Sequence, residues 1–186
     1  MRLLAGILLF LAQPFWEAKP PEKWSEQEIQ TLLHDSPWAV TVGPTVDILI
    51  YLATAAPIEE AEAEARVRSR NPLPEPDPDY LDYLREHREK QLVLAIPYPD
   101  PKPWLPAEEH KMEEQSVMVV GRRTHKMVGH FPPTQADPVL RLVFPRDGEA
   151  SDKSILFRLY LPGVQFPERQ ADFRIKDLMY HGKLEM

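Results

Sequence analysis

Cysteine is missing altogether from the 186 residues. This excludes a disulfide, a thiolate zinc site and a lipid-modified N-terminal cysteine, so a small secreted disulfide scaffold is ruled out while an exported bacterial protein without disulfides fits. Glycine is scarce, at seven. Neither G-x-G-x-x-G nor G-x-x-x-x-G-K-[ST] occurs, so nucleotide binding by a glycine loop is not encoded. None of Ser25, Ser36, Ser69, Ser116, Ser151 and Ser154 sits in G-x-S-x-G; all read as caps, loop residues or strand starts. Positive charge is in deficit: 22 Lys and Arg against 29 Asp and Glu leave a net charge of −7. General nucleic-acid binding needs a basic face to release counterions from phosphate, and this balance argues against it. The densest basic spot, Arg122-Arg123 with Lys126, reads as a solvated turn.

What is present begins with Met1-Arg2 and an apolar run from Leu3 to Ala12. One positive charge before ten apolar residues has the proportions of a secretory h-region. The run is too short to span a membrane comfortably. Ala12 and Ala18 are the candidate cleavage ends, and an uncleaved anchor or a first helix buried in the core are the alternatives. Residues 1–20 are therefore expected to be an export signal or N-terminal anchor, and residues 21–186 a single α+β domain with an extracytoplasmic location.

The stretch PEKWSEQEIQTLLHDSPWA, Pro21 to Ala39, carries the strongest local signal. Ser25 followed by Glu28 is a capping box, in which each side chain accepts a hydrogen bond from a backbone N–H left unpaired at a helix start. That makes Ser25 the N-cap and places Trp24 and Ile29 at the two positions of a hydrophobic staple. Ile29, Leu32 and Leu33 then form one apolar stripe. Asp35-Ser36-Pro37 ends the helix, because a proline disfavours helical geometry at the residue before it. Trp24 and Trp38 are read as packing anchors in preference to a stacking platform for sugar or base.

Further along, AVTVGPTVDILIYLA predicts two strands about Gly43-Pro44. Pro57 opens a second helix running to about Arg68, with acids early and arginines late to match the helix dipole. NPLPEPDPD is an exposed loop; Asp79 is expected to cap a third helix with Tyr80, Leu81 and Leu84 on one face; QLVLAIPYP is a buried strand; and Pro106 starts a fourth helix, PAEEHKMEEQ. From Ser116 on, VMVVG, KMVGHF, VLRLVF, ILFRLYL and ADFRIKDLMYHGKLEM read as successive strands. Arg141 and Arg158 are expected to stand exposed on otherwise apolar strands. The order specifies an α+β fold, a mainly antiparallel β-sheet with three or four helices packed on one face.

Signals for chemistry are weak. His110 with Glu113 and Glu114 has the i, i+3, i+4 spacing that can gather ligands, but it lacks the second histidine of zinc helices and reads as an acidic solvated face. His125 and His130 would meet only across a hairpin. Carboxylate pairs for glycoside hydrolysis leave no local spelling. No metal, cofactor or catalytic residue is assigned.

Three segments, WSEQEIQTLLHDSPWA, LRLVFPR and FRIKDLMYHGKLEM, resemble an uncharacterised family of exported bacterial proteins, some of them associated with proteins bearing a GWxTD motif that this chain lacks. The resemblance implies export and one compact domain, and no catalytic residue. The expectation is an extracytoplasmic binding or interaction module with a protein or cell-envelope partner, no nucleic acid, and membrane contact only through an uncleaved N-terminal segment. The alternatives are an exported hydrolase whose first residues of interest would be His110, His125, His130 and His181, and a membrane-tethered assembly factor.

Overall fold

The computed structural model describes residues 13–43, 46–68 and 74–186. The apolar run Leu3–Ala12, Pro44 of the expected Gly43-Pro44 turn, Ser69 and Asn71 to Leu73 of the proline-rich loop lie outside these residues. The described fold is α+β with antiparallel pairing throughout its sheets. No helix among the described residues is long and apolar enough to cross a membrane.

The chain enters through a short helix, α1 (Phe15–Ala18), and a 3₁₀ turn at Pro21–Lys23. Next comes α2 (Glu26–His34), with Ser25 as its N-cap. Both halves of the capping box are made: Glu28 N–H donates to Ser25 Oγ at 3.2 Å, and Ser25 N–H to Glu28 Oε2 at 2.8 Å. Trp24, Ile29, Leu32 and Leu33 are buried, as the staple and stripe require. β1 (Ala39–Val42) and β2 (Ile48–Leu52) pair in register Ala39↔Tyr51 to Val42↔Ile48. Two helices follow, α3 (Ala56–Arg68) and α4 (Pro78–His87). The cap of α4 is Asp77 and not Asp79, because Pro78 at N1 has no N–H to satisfy and the Asp77 carboxylate accepts from Asp79 N–H at 2.8 Å.

Two large antiparallel sheets, besides a small two-stranded one near the C-terminus, stand where the sequence pointed to one. The first joins β1, β2, β3 (Gln91–Pro97), β7 (Val139–Pro145) and β6 (Gly129–Phe131), in that order. The second joins β5 (Arg123–Lys126), β4 (Val117–Val120), β8 (Ser154–Tyr160) and β9 (Glu168–Arg174). The run KMVGHF is therefore not a single strand: at Met127-Val128 the chain leaves the second sheet and enters the first. The sheets meet through aromatic edges: Phe144 of the first packs on Phe157 of the second at 5.2 Å, and Phe157 is backed within its own sheet by Phe173 at 5.8 Å. Helix α5 (Pro106–Gln115) packs along β8 with Met112 buried.

The outer face of the first sheet corrects a second expectation. Tyr51, Ala95, Arg141 and Phe131 lie side by side across four strands of one face. Arg141 is buried there, 6% exposed, because α3 and α4 cover this face. Its guanidinium donates to Asp137 at 2.5 and 3.3 Å and lies 4.2 Å from the centre of the Tyr80 ring. Burial opposes the Arg141 charge, but Asp137 more than offsets this and holds its pKa above the ordinary value. Arg158, by contrast, is exposed as expected.

The terminal segment is not one long strand either. After β9 comes a 3₁₀ turn at Ile175–Asp177 and a small hairpin of β10 (Met179–Tyr180) and β11 (Lys183–Leu184). Its two turn residues, His181 and Gly182, both have positive φ, +48° and +75°, the geometry that matches the twist of a two-residue hairpin.

Candidate functional site: a cleft at the junction of the sheets

The two expected tryptophan anchors are both core residues. Trp24 donates its indole N–H to Lys19 O at 3.0 Å, and Trp38 donates to Glu185 O at 2.9 Å, with 1% and 0% exposure. On them rests α1. Phe15 meets Trp24 edge-on at 6.0 Å, and Trp16 meets Trp38 at 5.8 Å. Glu17 accepts the backbone N–H of His181 at 2.8 Å. A segment of four helical residues has no stability of its own, so these contacts are what hold it.

Beside α1, where the edge strands β1 and β9 approach each other, a cleft of about 740 Å³ opens. Trp16 and Pro14 form one wall, Val40 and the bend Asp35-Ser36-Pro37 a second, and Asp172, Arg174 and Lys176 a third. The lining is mixed in charge. Arg174 Nε lies 2.8 Å from Asp177 Oδ2, and Glu17 is engaged with His181. Alternation along β9 puts Asp172 and Arg174 on the exposed side while Ala171 and Phe173 are buried. The cleft thus combines an aromatic wall with hydrogen-bonding groups of both signs, a lining suited to holding a polar chain or ring.

Of the four expected histidines, His110 and His130 meet at one carboxylate, Glu113, while His125 and His181 stand apart. His110 Nε2 lies 3.2 Å from Glu114, and its Nδ1 3.9 Å from Glu113, on the open face of α5. His130, on β6, has its Nε2 3.0 Å from Glu109 and its Nδ1 3.8 Å from Glu113. His125, on β5, lies 2.6 Å from Asp147, which also accepts from Arg123 at 2.8 Å. His125 and His130 therefore serve different sheets and different carboxylates. His181 is a hairpin turn residue. No set of three His, Asp or Glu among the described residues is arranged to hold a metal ion.

The serines have structural work. Ser25 caps α2, Ser36 Oγ donates to Leu32 O at 2.7 Å, and buried Ser116 accepts from Tyr160 N–H at 3.2 Å. In the basic spot at 122–126, Arg123 is tied to Asp147 and Asp152. Sequence reasoning missed Trp16, Asp35 and Asp172 as cleft residues, and only Phe15-Trp16, an aromatic pair just beyond Gln13-Pro14 at the end of the apolar run, carried a readable hint. No protein-family model matches the chain, and neither the curated proteins nor the solved structures provide a match.

Proposed function

We propose that the protein is an extracytoplasmic interaction module whose binding site is the cleft between β1 and β9, with Trp16 as its aromatic wall. The observation that carries this reading is the cleft itself: the large hollow is lined by residues suited to holding, and no histidine is among them. The export segment inferred from Met1-Arg2 and Leu3–Ala12 supports the location. The resemblance to exported bacterial proteins points the same way.

A photo-crosslinking residue at Val40, on the cleft wall, tests this in intact cells. The expected result is a discrete adduct that is absent when the probe is placed at exposed Val67 on α3. The same adduct pattern from both positions would overturn the reading. Export is tested separately by fusing residues 1–24 to a reporter active only outside the cytoplasm, and a silent reporter would count against it.

A hydrolase reading has one observation in its favour. His130 is held between Glu109 and Glu113, and His110 reaches the same Glu113. Under that reading, His130→Ala would abolish a measurable hydrolytic activity at unchanged stability; under the module reading the variant leaves Val40 crosslinking intact.

A further inference from the structure

Two arginines are buried among the described residues, and their surroundings differ. Arg141 has the Asp137 carboxylate and the Tyr80 ring. Arg169, the second residue of β9, is 5% exposed and has only backbone carbonyls. Its Nη1 donates to Glu168 O and its Nη2 to Gln165 O, each at 2.9 Å, while its buried Nε–H has no acceptor. A guanidinium carries five N–H donors in a planar fork, so the Nε–H and the unused terminal hydrogens remain for an oxyanion. Burying a charge without a counter-charge is costly. In a chain with a net charge of −7, acid is not in short supply, yet no carboxylate forms an ion pair with Arg169 among the described residues.

The loop that precedes β9 bears on the same spot. It is closed by a hydrogen bond from Leu161 N–H to Pro167 O at 2.9 Å. Gly163 lies against Trp104, whose indole is within 3.7 Å of where a Cβ would stand. Trp104 packs edge-on to Tyr98 at 5.8 Å, and Tyr98 OH donates to Pro162 O at 3.3 Å. Phe166, next to the Gln165 carbonyl that holds Arg169, is 57% exposed at φ +54°, a left-handed conformation that disfavours a bulky side chain. Leu105, beside Trp104, is 70% exposed. An uncompensated guanidinium therefore lies beneath a strained loop, with apolar side chains displayed at its margin.

We propose that Arg169 is the centre of an interaction surface, separate from the cleft beside α1, that captures the C-terminal carboxylate of a partner protein whose last side chain is apolar. The loop Leu161–Pro167 lifts to admit it. A chain end presents its carboxylate and last side chain from one Cα, so the first reaches the guanidinium while the second covers Trp104, Leu105 or Phe166. Aromatic and arginine side chains grouped in this way are typical energetic centres of protein interfaces. A single guanidinium suits a monoanion better than a phosphate dianion.

The test uses the full chain labelled with ¹⁵N and follows the Arg169 Nε–H and Trp104 indole signals during titration with acetyl-Ala-Ala-Phe. The expected result is a saturable shift of both signals by the peptide ending in a carboxylate and none by the same peptide ending in a carboxamide. Arg169→Lys keeps the charge but loses the fork, and should weaken binding by about tenfold or more. No saturable shift, or equal shifts from acid and amide, overturns the proposal. Equal binding of inorganic phosphate, or of acetyl-Ala-Asp-Phe carboxamide, overturns the chain-end assignment. If Arg169→Lys does not fold, the comparison of acid with amide on the parent chain decides alone.

Discussion

Trp16 meets Trp38 edge to face, ring centres 5.8 Å apart, so a residue from the expected export segment rests on a fully buried residue of the domain. Removing Trp16, which is half-buried, should cost about 1–3 kcal/mol, below the roughly 3–5 kcal/mol expected for Trp38→Ala in the core. Urea denaturation of the two variants measures both. Processing after Ala18 would discard Phe15 and Trp16, whereas processing after Ala12 would keep them. The intact mass of exported protein is expected to include both residues.

The capping box sets a second scale. Ser25→Ala removes the acceptor for Glu28 N–H and should lower stability by about 1 kcal/mol. Trp24→Ala empties a site that is 1% exposed and should cost several times as much, about 3–5 kcal/mol. Equal melting of parent and both variants would show that α2 is not held by its cap and staple.

The Asp137–Arg141 pair gives a larger effect. Asp137 also accepts Asp77 N–H at 2.8 Å, so its carboxylate ties the start of α4 to β7. Asp137→Ala leaves a buried guanidinium unpaired and should destabilise by about 3–5 kcal/mol, while Asp137→Asn with Arg141→Met should recover much of that loss. A double variant no more stable than the single one would contradict this account.

Glu59 on α3 provides a pH dependence. Burial, opposed by nearby Arg88 and reinforced by Glu62, pushes its carboxyl from 4.5 up to about 7. The folded protein then holds this proton more tightly than the unfolded chain does. The contribution to stability is complete below about pH 4.5 and is lost as pH rises through about 7. Relative to Glu59→Gln, the parent should lose melting temperature between pH 5 and pH 7.5. A difference between the two that stays constant over this range would refute the shift.

How much of this was legible in the sequence depends on whether the signal was local. The α2 cap, the fourth helix from Pro106 and the α3 charge gradient are written in residues a few positions apart, and all three are found. Arg141 was not legible, because alternation identifies two faces of a strand but not whether helices cover the second one. The break at Met127-Val128 was equally hidden, since a strand that changes sheets keeps its strand-like composition. The Trp16 cleft joins residues from both halves of the chain, which leaves no spacing to read.

The C-terminal hairpin makes a final ranking. Tyr180 is 5% exposed and packs on Trp38, whereas Leu184 is only half-buried and His181 is an exposed turn residue. Tyr180→Ala should cost about 3–5 kcal/mol, Leu184→Ala less, about 1–2 kcal/mol, and His181→Gln within about 0.5 kcal/mol. Thermal unfolding of the three variants checks the order.

The hydrogen bond from Trp38 to Glu185, with Ala56 N–H donating to the same glutamate's carboxylate at 3.3 Å, has a consequence for the order in which the chain matures. Ribosomal synthesis delivers residues 38 and 56 long before residue 185, so the early strands and helices emerge without the segment that seals them. Completion of the core therefore waits until residue 185 has been made, so the seal between the first strand and the C-terminal hairpin is the last of these contacts that synthesis permits.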